Sequence, residues 1–146
     1  MIAVVGVATA VADDKEERYP KLPVHAGKID KGLPRNFTAT KSGLKYRVLR
    51  KGEGDAPTKD DTVEVHYHGW LDNGKVFDTT YVKNKTAAFP LKRVIAGWTE
   101  GMQLVGKGGM IELDIPSELG YGDNGAGEIP PKARLHFLVE IIDIKK

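Results

Sequence analysis

From Gly43 onward the chain alternates apolar and polar positions in short runs. In GLKYRVLR, Leu44, Tyr46 and Val48 alternate with Lys45 and Arg47, the period-two signature of a half-buried strand. TVEVHYHGW repeats the pattern, with Val63, Val65 and Tyr67 against Glu64, His66 and His68. It runs through Asp72-Asn73-Gly74, a tight-turn signal, into KVFD. In GGMIELDI, Ile111, Leu113 and Ile115 oppose Met110, Glu112 and Asp114. In ARLHFLVEIIDI, Leu135, Phe137, Val139 and Ile141 share one phase. These are five strand-like runs, while AAFPL is a short apolar piece broken by Pro90. One segment has helical spacing: Val94 to Met102, with Ile95, Trp98 and Met102 three and four residues apart. Gly97 and Gly101 lie inside it, and each costs up to about 1 kcal/mol of helix propensity. Such a helix is short and must be held by packing. The pattern predicts an α+β fold, an antiparallel sheet with one short helix laid on it.

The connections carry their own signals. Residues 116–131, PSELGYGDNGAGEIPP, are sixteen residues without periodicity, long for a loop inside a small domain. Tyr121 and Ile129 among four glycines predict an ordered flap. Residues 81–86 read as a polar, exposed loop, and Gly106-Lys107-Gly108-Gly109 as a hairpin turn rather than a phosphate loop, because a strand and not a helix follows it. Residues 13–42 contain Pro20, Pro23 and Pro34 with little periodicity. They read as a polar linker that cannot bury enough apolar area to offset its ordering entropy. The first twelve residues, MIAVVGVATAVA, are uncharged, and Ala10-Val11-Ala12 fits the small-x-small pattern of a signal-peptidase site, although no Lys or Arg precedes the apolar stretch. They are read as a truncated signal peptide, which predicts export, to the periplasm or another extracytoplasmic space. The alternative is a first buried strand or helix in a cytoplasmic protein. The expected organisation is therefore 1–12 signal, 13–42 linker and 43–146 domain.

Composition narrows the chemistry. The 146-residue chain has no Cys, which excludes disulfides, a thiol nucleophile and cysteine-ligated metals. Residues 13–42 hold seven basic and five acidic side chains, a balance of +2, and residues 43–146 hold fifteen of each, a balance of zero. A neutral domain has little reach for a phosphate backbone, so nucleic acid is not an expected partner. No apolar run approaches the roughly 18 residues that span a bilayer. Ser42 and Ser117 are the only serines, and neither has a His nearby in sequence. His66 and His68 share a strand face, half of a metal site at most. Solvent-facing histidines beside Glu64 account for them more simply, so no metal or cofactor is expected.

What remains is aromatic. Tyr67, Phe77, Trp98, Tyr121 and Phe137 each fall where an element meets the core face. Any one of them alone is simply core. Together, with Asp78 directly after Phe77, they describe an apolar basin with a few convergent polar groups, the composition of a small-ligand or peptide pocket. The blocks VHYHGWLDNGKVFDTT, VIAGWTEGMQLVGKGG, IPSELGYGDNGAGEIPP and LHFLVEIIDI resemble, in order, the signature blocks of the FKBP-type peptidyl-prolyl isomerases, the macrolide-binding immunophilin family. The resemblance spans about residues 43–146.

It implies a five-stranded antiparallel curved sheet wrapped around one short helix. It further implies a peptidyl-prolyl cis-trans isomerase that acts on proline-containing unfolded or nascent chains, without a cofactor and open to macrolide inhibitors. Many exported relatives carry an N-terminal dimerisation helix, which residues 13–42, short and broken by prolines, do not resemble, so a monomer is expected. By the same resemblance Trp98 would floor the pocket. Tyr67, Phe77 and Phe137 would form walls, and Val94 and Ile95 the rim, with the Ile95 N–H on a substrate carbonyl. Tyr121 would donate from the flap, Ile129 would close it, and Asp78 would bond Tyr67 or a ligand. Ala87 replaces an aromatic frequent in the family, and Glu128-Ile129 replaces paired aliphatics; both bear on side-chain preference and inhibitor affinity. The alternative to turnover is a chaperone or adaptor module that only holds proline segments. A weaker third option is metal storage on the histidines.

Overall fold

A computed structural model describes residues 20–33 and 36–146. The strands are β1 (Thr38–Ala39), β2 (Lys45–Arg50), β3 (Thr62–Leu71), β4 (Val76–Thr79), β5 (Ala87–Pro90), β6 (Met110–Ile115) and β7 (Leu135–Lys145). One α-helix, α1 (Ala96–Met102), follows a 3-10 turn at Leu91–Arg93, and a second 3-10 turn covers Ser117–Leu119. Every strand pair is antiparallel, in the order β1-β2-β6-β7-β3-β4. The far edge of β3 is shared, β5 pairing its first half at Thr62–Val65 and β4 its second half at His68–Trp70. The α+β class and the single helix agree with the sequence pattern.

The strand count does not: the sheet has seven strands rather than five among the described residues. AAFP is a strand despite Pro90, because β5 is an edge strand, where a residue lacking an N–H costs the sheet least. The two-residue β1 has too few positions to show any period.

Helix α1 lies against β6. A Cβ on Gly97 would stand 2.7 Å from Ile115 Cγ2, and one on Gly101 2.7 Å from Leu113 Cδ2. The two glycines that weaken the helix locally are what let its backbone reach the sheet. Around them the main core gathers the inward faces of the strands, including Val63, Val65, Leu113, Ile115, Val139 and Ile141, all fully buried.

The alternation predicts a sheet with one wet face, and the structure departs from that. Leu49, Met110 and Leu138, on the outer face, are fully buried as well. They are covered by the segment read as a linker. Leu22, Ile29 and Leu33 pack on this patch together with Trp70. The Asp30 N–H bonds the Leu49 carbonyl at 2.8 Å, the Lys51 N–H bonds Asp30 Oδ2 at 2.8 Å, and the Arg50 guanidinium bonds the Lys28 carbonyl at 2.8 Å. The linker reading fails over 20–33 because the partner surface is built from strands far along the chain. Only a few apolar residues are then needed to fill a patch already formed.

The same face holds one buried and one partly buried ion pair. Arg47 Nε bonds Glu112 Oε1 at 2.6 Å, with Phe37 stacked over the guanidinium at 4.5 Å. Glu140, 5% exposed, accepts from Tyr81 Oη at 2.6 Å, from Arg50 Nη2 at 2.6 Å, and from the Gly27 N–H at 3.2 Å. Tyr81 is therefore only 2% exposed, although the rest of the 81–86 loop is exposed as its polarity predicts. The 106–109 stretch is not a hairpin turn. It joins α1 to β6 and is clasped between Glu53 and Ile141 by Glu53 N–H to Lys107 O and Gly108 N–H to Ile141 O, each 2.8 Å. Residues 1–19 lie outside the described residues, and with them the segment read as a signal peptide.

Candidate functional site: an aromatic cup under the flap

The inward face of β3 carries Tyr67 and Gly69, and the elements that flank it bring aromatic side chains to the same place. β4 supplies Phe77, β5 Phe89, β7 Phe137 and α1 Trp98. Trp98, 4% exposed, stands at the centre, with the rings of Tyr67 (5.3 Å), Phe89 (5.6 Å) and Phe137 (5.3 Å) all edge-on to the indole. Phe77 meets Phe137 edge-on at 5.4 Å. Edge-to-face pairs of this kind favour a fixed arrangement beyond their burial alone. The rings enclose a cavity of about 450 Å³, completed by Asp78, Arg93, Val94, Ile95 and Tyr121.

Gly69 makes the arrangement sterically possible. A Cβ there would stand 2.7 Å from both Phe77 Cζ and Phe137 Cε1. The two walls close over the bare backbone of β3.

The polar groups are few and each has a distinct state. The Tyr67 hydroxyl donates to Asp78 Oδ2. Burial and the Asp78 carboxylate together push the Tyr67 phenol far above the ordinary tyrosine range, so near neutral pH it is protonated and a donor. Ile95 caps α1, its carbonyl accepting from the Trp98 and Thr99 N–H groups at 2.9 and 3.1 Å. Its own N–H has no acceptor among the described residues. The Tyr121 hydroxyl is likewise unpartnered among the described residues, on a side chain 41% exposed at the cavity mouth. Trp98 Nε1 is buried with no hydrogen-bond partner. An orphan donor of this kind costs roughly 1–3 kcal/mol and is uncommon away from functional sites.

The flap is ordered by backbone bonds. Ala126 and Ile129 exchange two hydrogen bonds of 2.9 and 2.8 Å, and the Lys132 N–H reaches the Gly122 carbonyl at 2.9 Å. Gly125, at φ +67°, lies so close to the returning chain that a Cβ would meet the Ile129 carbonyl at 2.3 Å. This turn puts Ile129, buried, in a second, smaller cavity of about 190 Å³ that shares Phe77, Asp78 and Tyr121 with the first.

Eight of the nine residues singled out from the sequence therefore line one cavity, and Ile129 lines its neighbour. Sequence reasoning missed Phe89, Arg93 and Gly69. Phe89 was obscured by the apparent break at Pro90. Gly69 keeps the phase of Tyr67 and sits between two bulky residues in a strand, a signal of close approach that could have been read. The histidines lie on the outer face, His66 Nδ1 bonded to Thr80 Oγ1 at 2.9 Å and His68 Nδ1 to Thr79 Oγ1 at 3.0 Å. Among the described residues no group of three or more His, Asp or Glu could hold a metal, and no helix is long and apolar enough to cross a membrane.

Comparison with known proteins gives a consistent answer. The sequence profile of the FKBP-type peptidyl-prolyl cis-trans isomerases matches residues 53–142. A probable FKBP-type peptidyl-prolyl cis-trans isomerase of Haemophilus influenzae is 50% identical over 111 residues, 75% of this chain and 46% of that protein. FkpA of Escherichia coli is 47% identical over 116 residues, 80% of this chain and 42% of its own length. The crystal structure of that FkpA superposes with a TM-score of 0.73 at 41% identity, covering 94% of this chain and 60% of the other. A peptidyl-prolyl cis-trans isomerase structure from Pseudomonas syringae gives 0.70 at 30% identity, over 94% and 92%. The chain spans less than half the length of those two curated relatives.

Proposed function

The chain belongs to the FKBP-type peptidyl-prolyl cis-trans isomerase family, and on that premise we propose that its aromatic cup accelerates rotation about Xaa-Pro bonds in proline-containing polypeptides. The observation that carries the reading is the cup itself: an apolar cavity floored by Trp98, with an Ile95 N–H and a Tyr121 hydroxyl at its edge that have no partner among the described residues. Rotation of a prolyl amide meets a barrier of about 18–20 kcal/mol and takes tens to hundreds of seconds unaided. A working rate of roughly 10–10³ s⁻¹ needs about 4–7 kcal/mol off that barrier. No nucleophile or base is required. The twisted amide is less polar at its carbonyl than the planar one, so a cavity with few polar groups favours it relative to water.

In this reading the proline ring rests on Trp98 between Tyr67, Phe77 and Phe137, with Val94 and Ile95 at the rim. The Ile95 N–H and the Tyr121 hydroxyl hold flanking carbonyls in the twisted geometry, which strengthens binding of the transition state over either planar isomer. Asp78 keeps the Tyr67 phenol turned toward it, and Ile129 closes the flap side. The same cup would admit a macrolide inhibitor. The apolar run at residues 1–12 with Ala10-Val11-Ala12 supports export and cleavage of a leader ahead of a 43–146 domain, and N-terminal sequencing of protein made in its own host tests that.

The activity is tested with a Leu-Pro tetrapeptide and the full chain, following cis/trans exchange by NMR. Enhanced exchange at micromolar protein is expected. An unchanged rate rejects the isomerase reading and leaves a module that only holds proline segments. Gly69→Ala is expected to lower kcat/KM severalfold and to cost about 1–3 kcal/mol of stability, because the new Cβ must displace both Phe77 and Phe137. An unchanged rate and melting temperature for that variant would show the walls are not packed on β3 as described.

A further inference from the structure

Of the residues lining the main cavity, two carry charge, Asp78 and Arg93. Asp78 is engaged by the Tyr67 hydroxyl. Arg93 makes no hydrogen bond or ion pair with any described residue and is exposed. The carboxylates near it in sequence, or on the elements beside it, have partners of their own: Asp60 with Lys92 at 3.4 Å, Asp61 with Lys146 at 3.2 Å, and Glu100 with Ser42 at 2.5 Å.

The backbone that carries Arg93 is fixed just before it, at Leu91. Leu91 is fully buried, its N–H bonds the Asp61 carbonyl at 3.0 Å, and its carbonyl accepts from Thr99 Oγ1 at 2.6 Å. The guanidinium is thus presented from a rigid turn, immediately before the Val94-Ile95 rim. At the other end the adjoining cavity shares Asp78 and adds Glu128, whose only ion pair among the described residues is an open one to Lys75 at 3.7 Å. The groove is basic at its Arg93 end and acidic at its Asp78–Glu128 end. Arg93 and Glu128 are both exposed, so their action on a bound ligand is open to screening by salt.

Building on the isomerase reading, we propose that Arg93 is a specificity residue that binds the carboxylate of an acidic residue flanking the substrate proline on one side, so that the groove accepts charged peptides in one polarity. The chemistry is that of a guanidinium with a free fork meeting a carboxylate, a pairing well suited to two parallel hydrogen bonds. The acidic far end disfavours the same carboxylate there and favours a basic side chain instead.

The test uses two peptides of identical composition and net charge around one Ala-Leu-Pro-Phe-Ala centre. One has Glu before and Lys after the centre, the other the reverse, and a Gln-flanked peptide serves as the neutral reference. With the full chain at low salt, kcat/KM for one of the pair is expected to exceed the other about fivefold, and the ratio to shrink in 0.5 M salt, as screening requires. Arg93→Gln should lower the ratio, the acidic end alone still acting, and Arg93→Glu, which makes both ends acidic, should bring it close to one. Each ratio is taken within one variant, so a general change in activity cancels. Equal rates for the two peptides in the unaltered chain, or a ratio unmoved by Arg93→Glu, would overturn the proposal. Chemical-shift titration gives the same comparison as binding. Failure to turn over the neutral peptide therefore counts against the isomerase reading, while equal binding of the charged pair counts against Arg93.

Discussion

Asp78→Ala is expected to lower kcat/KM for a neutral Leu-Pro peptide about 10- to 100-fold while moving the melting temperature by no more than a few degrees. Asp78 is on the exposed side of β4 and contributes to the cup through one bond, from the Tyr67 hydroxyl. A hydrogen bond to a charged acceptor is worth roughly 1.5–3 kcal/mol, which is that range of rates if the bond is needed in the transition state. Tyr67→Phe removes the other partner and should fall in the same range, and the double variant should lose little more than either single one, because both remove one interaction. Loss that adds fully across the pair would show that Asp78 and Tyr67 act on the substrate separately. Phe137 is a poorer probe than the sequence suggests. It is 4% exposed and packs on Trp98, Phe77 and Tyr67, so Phe137→Ala should cost about 3–5 kcal/mol of stability and confound activity with folding.

The second large effect lies on the opposite face of the sheet. Glu140→Ala is expected to destabilise the chain by about 3 kcal/mol in urea unfolding, since it leaves the Tyr81 hydroxyl buried without an acceptor and the Arg50 guanidinium without its carboxylate. Per folded molecule, the rate on a neutral peptide should be unchanged, because residue 140 points away from the face that carries Phe137 and Val139. The loss of the Gly27 contact should also open residues 20–33 to proteolysis.

A pH dependence accompanies it. Burial alone would push the Glu140 carboxyl up, but the bonds from Tyr81, Arg50 and Gly27 outweigh it and hold the group below its ordinary 4.5. A carboxyl depressed in the folded state gives stability that is present above its unfolded value and lost as the pH falls through its folded value. Unfolding free energy should therefore drop as the pH falls below about 4.5, and Glu140→Gln should flatten that drop. A variant with the same acid sensitivity as the unaltered chain would place the responsible carboxylate elsewhere.

Part of this molecule was legible in one dimension. The turn at Asp72-Asn73-Gly74 forms as its residues require, with Gly74 at φ +85° and the Leu71 and Lys75 backbones bonded at 3.0 Å. Strand phase was right for Val63, Val65 and Tyr67 and for Leu135, Phe137 and Val139, because a period of two is a local property of an extended chain. The periodicity predicts the helix from Val94, two residues ahead of its start at Ala96, because Ile95 is the cap. Phe89 and Arg93 were not legible, since neither belongs to a pattern that repeats.

The sequence by itself determined the α+β class, the inward faces of the main strands, the short glycine-bearing helix and the set of aromatic residues that converge. Each of these follows from the spacing of neighbours within one element, or from motif blocks that need no coordinates to be matched. Only the tertiary structure decided that β3 carries two partners on one edge, that Gly69 makes room for Phe77 and Phe137, and that residues 20–33 dock on the outer face. It also brought Gly27 to Glu140, 113 positions apart in the chain. Contacts of that range leave no periodic trace, because the surface a segment meets does not exist until the rest of the chain has folded.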